Sequence, residues 1–122
     1  MTDKSQFLAI YLGSPDSAAM ARWAELSDAE RTQRQQQGVA AWHGWVTAHQ
    51  ASIVVMGGPL GSTLRVANDG VNPVHNALSA FTIVEAESQE AAAALFENHP
   101  HFAIFPGEAV EVMPIRPVPG AG

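Results

Sequence analysis

Phe7-Leu8-Ala9-Ile10-Tyr11-Leu12 is an unbroken run of six apolar residues following a polar start. Successive side chains of a β-strand point to opposite faces, so Phe7, Ala9 and Tyr11 share one face and Leu8, Ile10 and Leu12 the other. A strand apolar on both sides belongs to a sheet covered on both sides. Ser52-Ile53-Val54-Val55-Met56 repeats the pattern and reads as a second such strand, stopped by Gly57-Gly58-Pro59.

Working outward, Gly13-Ser14-Pro15-Asp16 is a turn, and Ser17 to Leu26 reads as a short helix with Met20, Trp23, Ala24 and Leu26 on its apolar side. Ser27-Asp28-Ala29-Glu30 has the form of a capping box, in which the serine accepts from an amide three residues on and the glutamate reaches back. A long helix is predicted from Asp28 to about His49. Its first half is polar, and its second half carries Val39, Trp42 and Val46 as a stripe, with Trp45 beside it. Thr63 to Ala67 is a short alternating run closed by the turn signal Asn68-Asp69-Gly70, and Asn72-Pro73 reads as a further turn. Leu78 to Glu85 is a strand. Ser88 is an N-cap candidate for a helix from Gln89 to Asn98, anchored by Leu95 and Phe96. Pro106-Gly107 then turns the chain into a last strand, Ala109 to Pro114.

The order β-α-α-β-(β)-β-α-β contains a split βαβ unit repeated once, which is the ferredoxin-like α+β arrangement, with helices on one face of the sheet. Pro114 lacks an amide hydrogen, so the last strand is expected at the sheet edge. The apolar second face has no helices left to cover it. A second copy of the chain, packed sheet to sheet, is the expected cover, which predicts a homodimer.

The 122 residues, 47% of them apolar, suit one domain spanning 1–122, with 1–5 and 117–122 expected to be flexible. No stretch approaches the roughly 18 apolar residues of a membrane span, and no signal peptide is seen, so a cytoplasmic protein is expected. Six basic against twelve acidic residues give a net charge of −6 without a basic stripe, which argues against nucleic acid as a partner. With no cysteine, disulfides, thiol catalysis and thiolate metal sites are excluded. Gly57-Gly58-Pro59-Leu60-Gly61 lacks the lysine pattern of a phosphate loop, and no cofactor is expected.

Chemistry is most plausibly carried by Asn98-His99-Pro100-His101-Phe102. Proline pushes the residue before it out of the helical region, so His99 is expected in an extended or turn conformation at the helix exit. Histidine titrates near neutral pH. His99 and His101, two apart, could point the same way. A metal site would need a third ligand from His75, His43 or Glu97, and none is expected. The plain alternative is a capping or loop-packing role for one histidine, with the other facing solvent.

Trp42-His43-Gly44-Trp45, Gly57-Gly58-Pro59-Leu60, Asn76 to Ser88, His99-Pro100-His101 and Val110-Glu111-Val112-Met113-Pro114, in this order, resemble the YCII-related proteins. The resemblance runs from about Phe7 to Pro114, apart from Gly13 to Glu25. It implies a small bacterial protein of the dimeric α+β-barrel type. In the enzymatic branch of that family a helix histidine and an aspartate before a proline face a cleft. Here the residue before Pro100 is His99, not aspartate, and of Ala41 to His43, where the family's helix histidine would fall, only His43 is a histidine, so the His/Asp pair is not carried over intact.

The leading expectation is a protein that binds a small organic molecule in a cleft between helices and sheet, near Trp42, Asn76 and His99. Trp42 and Trp45 would wall the cleft, with His43, Asn76 and His101 as further ligand contacts. Trp42 reads equally as core and Asn76 as a loop-amide partner. A lyase- or isomerase-like enzyme with His99 as acid/base is the alternative, and a ligand-free structural or regulatory homodimer the third. Glu85 and Glu87 read as solvated surface.

Overall fold

The computed structural model describes residues 4–120. Expectations about residues 1–3 and 121–122 therefore lie outside the described residues. The chain forms β1 (Ser5–Leu12), α1 (Ala18–Ala24), α2 (Asp28–Ala48), β2 (Ile53–Pro59), β3 (Thr63–Ala67), β4 (Gly70–Val74), β5 (Leu78–Ala86), α3 (Gln89–Ala94), α4 (Pro100–Ala103) and β6 (Ala109–Pro114). Four strands form one antiparallel sheet in the order β2-β5-β1-β6, the ferredoxin-like order, and β3 and β4 pair separately as a hairpin.

Strand β1 lies inside the sheet, paired with β5 from Ser5↔Ala86 onward and with β6 from Phe7↔Pro114 to Leu12↔Ala109. Pro114 thus sits on the edge strand. The alternation in β1 is clean: Phe7, Ala9 and Tyr11 are buried, while Leu8, Ile10 and Leu12 are half-buried. The buried set meets Val84 and Ala86 of β5, Trp45 of α2, Ala92 of α3 and Phe96. Burying a large apolar side chain such as Phe7, Val84 or Phe96 stabilises the fold by about 1.5–3 kcal/mol each.

Both expected caps form, Ser27 on α2 and Ser88 on α3, and Ser17 on α1 is a further one. The Ser27/Glu30 box is reciprocal, with Ser27 N donating to Glu30 Oε1 at 2.9 Å and Glu30 N to Ser27 Oγ at 3.2 Å. Arg31 clamps the corner between α1 and α2 by donating to the Leu26 carbonyl and to Asp28. Gly38 is buried because a Cβ there would overlap the Phe105 ring.

Three local expectations are corrected. Strand β2 does not stop at Gly57 but runs to Pro59 across irregularities in its pairing with β5. Gly57 has φ 69°, and a Cβ there would collide with the Phe81 carbonyl, so glycine sustains a bulge rather than ending the strand. Asn72-Pro73 is no turn: Pro73 faces Leu64 within the β3–β4 hairpin, where a two-stranded ribbon tolerates proline on its free side. Helix α3 ends at Ala94, not Asn98, and Leu95, Phe96 and Glu97 donate to carbonyls three residues back. The Leu95 carbonyl is taken by the Trp45 indole N–H at 2.7 Å, and Asn98, at φ 57°, reverses the chain.

Candidate functional site

The loop after α3 forms an unexpected short helix. His99 (φ −59°, ψ 140°) is its N-cap, Pro100 its first residue, and the His99 Nδ1 accepts the His101 backbone N–H at 3.0 Å. Proline at the first helical position, behind a residue held extended, is the signal for this turn. Histidine hid it because serine, threonine, asparagine and aspartate are the usual caps.

The two imidazoles have different surroundings. His99 is fully buried. Its ring lies edge-on to Trp42 (4.5 Å between centroids), Trp45 (4.7 Å) and Tyr11 (5.1 Å), and Phe96 lies 5.9 Å away. Since Nδ1 accepts, the neutral ring carries its proton on Nε2. Nε2 is buried without a partner. Burial, then the charges that His101 and His49 would carry, push the His99 pKa down to about 4, so the ring is neutral at pH 7.

His101 is 9% exposed, and its Nε2 lies 2.7 Å from the Leu12 carbonyl. A carbonyl only accepts, so Nε2 carries the proton and the neutral ring's Nδ1 is an acceptor. Burial lowers this pKa, and the bond to Leu12 partly offsets it. Gly107 packs on the ring, where a Cβ would overlap it, and donates its N–H to the His101 carbonyl at 2.9 Å.

His101 lies at one end of a cavity of about 750 Å³ between α2 and the β2–β5 edge. Val39, Trp42, His43, Val46 and Thr47 line it from α2, Met56 to Pro59 from β2, Ala80 to Thr82 from β5, and His101 and Phe105 from the loop. Trp42 stacks on Tyr11 at 5.2 Å and 17° and is thereby held as a wall. Thr82 donates to the Met56 carbonyl at 2.9 Å, so Tyr11 must donate its hydroxyl proton to Thr82 at 3.0 Å. Both hydroxyl protons are used within the wall. Among the described residues no lysine, arginine, aspartate or glutamate lines the cavity.

Of the residues singled out in the sequence, Trp42, His43 and His101 come together here. His99 does not line the cavity. It is fully buried with its ring against Trp42, which corrects its expected place at the cleft. Trp45 is core, with its indole N–H bonded to Leu95. Asn76 is exposed and organises its own loop, donating to Thr63 Oγ1 at 3.1 Å and accepting from Leu78 N at 2.9 Å. The position of His101 also corrects the view that one histidine of the pair would face bulk solvent. Met56, Gly58, Pro59 and Phe105 are wall residues that sequence reasoning missed. Glycines inside a strand were the available signal, because they mark bulges and close approaches.

Among the described residues no three histidine or carboxylate side chains group as a metal site, and no helix is long and apolar enough to cross a membrane. Other hollows differ in character. One of about 490 Å³ is edged by Glu90, Glu97 and Glu108, and one of about 600 Å³ by Arg22, Glu25, Glu30 and Arg34.

Fold and site together define a ferredoxin-like α+β protein with an apolar cavity between helix and sheet edge. The fold is similar to that of 5-chloro-2-hydroxyhydroquinone dehydrochlorinase (TftG) from Burkholderia phenoliruptrix AC1100, solved in complex with 2,5-dihydroxybenzoquinone. The TM-score is 0.53, with 22% identity over 91% of this chain and 93% of that one. Rv0793 from Mycobacterium tuberculosis gives a TM-score of 0.35 at 13% identity, over 98% of this chain and 100% of that one. No protein-family model and no curated protein matches the chain.

Proposed function

We propose that this chain is a YCII-related protein that binds a small, largely apolar organic molecule in the cavity beside Trp42. The observation that carries this is the cavity itself: about 750 Å³, lined by Trp42, Phe81 and Phe105 and several aliphatic side chains, with few polar groups converging on it. Binding sites for small molecules have this size and composition. The complex of TftG with a dihydroxybenzoquinone supports a flat ring as the kind of occupant. A ligand at a hundred times its Kd stabilises the folded state by about 2.7 kcal/mol, which raises the melting temperature by several degrees. A thermal-shift series with small phenols and quinones is expected to show this in the wild type and to lose it in Val46→Phe, which fills the cavity. A panel that leaves the melting temperature unmoved would count against the reading.

The chain is further proposed to work as a homodimer. Leu8, Ile10 and Leu12, with Ile83 opposite Leu8, form an apolar sheet face that no helix covers, and Val55 extends it on β2. Light scattering at micromolar protein should give twice the chain mass; a monomer's mass would reject the pairing.

Proton transfer on the bound molecule, a lyase- or isomerase-like activity, is the second reading. It is favoured by the imidazole of His101 in the cavity wall, not by His99.

A further inference from the structure

The polar inventory of the cavity is narrow enough to name the chemistry of its occupant. His43 and Thr47 line it from exposed positions on α2, so the buried polar side chains are Thr82 and His101. Thr82 has one hydroxyl proton, spent on the Met56 carbonyl, and its oxygen already receives Tyr11. His101 Nε2 is spent on the Leu12 carbonyl. What remains of that ring is Nδ1, which makes no hydrogen bond among the described residues. The ring lines the cavity, and Nδ1 is the acceptor it has left there. Leu12 decides the tautomer, Gly107 presses on the ring, and the His99 cap holds the backbone, so Nδ1 is a fixed acceptor. Among the described residues the same wall holds no lysine or arginine to meet an anion, and no carboxylate to meet a cation. Taking an ionised ligand out of water without a partner is costly.

We infer that the cavity selects an uncharged ring carrying a hydroxyl donor, a neutral phenol or enol, whose O–H is received by His101 Nδ1. The inference rests on the cavity reading above and narrows it to one class and one atom. Trp42 offers the ring its apolar wall, and His101 the buried directional contact. Carboxylates of the same shape are rejected for want of a cation. A methyl ether of the same shape fits but leaves the acceptor unmet. The phenolic proton, with a pKa of about 10 in water, stays on the ligand's side of the hydrogen bond until a reaction draws it off.

The test compares 4-methylphenol, 4-methylanisole and 4-methylbenzoate by NMR titration of the full chain at pH 7, followed on the tryptophan indole signals. The wild type is expected to bind the phenol roughly tenfold more tightly than the ether, the size of one net hydrogen bond, and more tightly still than the benzoate. His101→Met removes the Nδ1 acceptor, which the Oε1 of a glutamine would replace. It is expected to bind the ether as the wild type does and to lose the phenol's advantage, whereas His43→Gln keeps it. Nitrogen-15 spectra of the wild-type ring supply a readout independent of any variant: Nε2 protonated, Nδ1 bare, and Nδ1 shifting when the phenol is added. Equal binding of benzoate and phenol, loss of the preference in His43→Gln, or a protonated Nδ1 would each overturn the assignment while leaving the cavity reading intact. Binding of none of the three would overturn the cavity reading itself, and the assignment with it.

Discussion

His99 and His101 stand two residues apart on one turn, yet they occupy opposite kinds of space. The first is sealed among Tyr11, Trp42, Trp45 and Phe96, with one nitrogen spent on a backbone amide and the other unpartnered. The second shares the seal but keeps its ring at the edge of a cavity. The difference teaches that a histidine-rich loop divides its labour. One ring builds the turn, and that turn aims the other.

The largest effect that could break this contrast comes from His99→Ala. It removes a fully buried ring and an N-cap together, and an expected loss of about 3–5 kcal/mol by chemical denaturation follows from comparable truncations of aromatic core residues. A loss below about 1 kcal/mol would mean that His99 is not the keystone of the turn.

Acid should act on the same group. The folded-state pKa of His99 lies at about 4, below the ordinary value of 6.5, so the unfolded chain binds the proton more readily between those values. Its contribution is fully present above about pH 6.5 and is lost as the pH falls toward 4, on the order of 3 kcal/mol in all. The lowered pKa of His101 adds in the same direction. Melting temperatures measured from pH 7 to pH 4 should fall accordingly, and a flat profile would show that neither ring is buried as described.

Gly107→Ala sharpens the other side of the comparison. Its Cβ overlaps the His101 ring and must displace it from the Leu12 carbonyl. A cost of about 1–3 kcal/mol is expected. A shifted His101 nitrogen signal with the His99 environment unchanged would place the effect on the cavity side alone. Tyr11→Phe is the mildest change, removing one hydrogen bond to Thr82 for about 1 kcal/mol while the stacking on Trp42 stays. A much larger loss would show that this hydroxyl also orders the cavity wall.

Much of the fold was legible because its causes are local. The Ser27/Glu30 box started α2 at Asp28, and Ser88 started α3 at Gln89. The alternation of Phe7 to Leu12 separated a buried from a half-buried face, and Pro114 marked the edge strand. Errors clustered where backbone departs from regular form: the bulge at Gly57, the strand at Pro73 and the tightened end of α3. At each a distant contact overrides local preference, as when Phe81 crowds Gly57 or Trp45 takes the Leu95 carbonyl. The candidate site was legible in its composition but not in its assignment. Trp42, His43 and His101 were readable as candidates, whereas Asn76, Trp45 and His99 were drawn in by chemistry that the fold spends on structure.

By itself, then, the sequence determined the element order, the capped helices, the two-faced central strand and the lack of a basic stripe, which argues against phosphate-backbone recognition. Those follow from neighbours within one or two turns or from side-chain alternation. Only the tertiary structure decided which histidine meets the cavity. That choice depends on the Leu12 carbonyl, 89 residues away from His101, and on the overlap that keeps Gly107 bare. A ring's accessible nitrogen is set by whatever occupies its other edge, and here that partner comes from the opposite end of the chain.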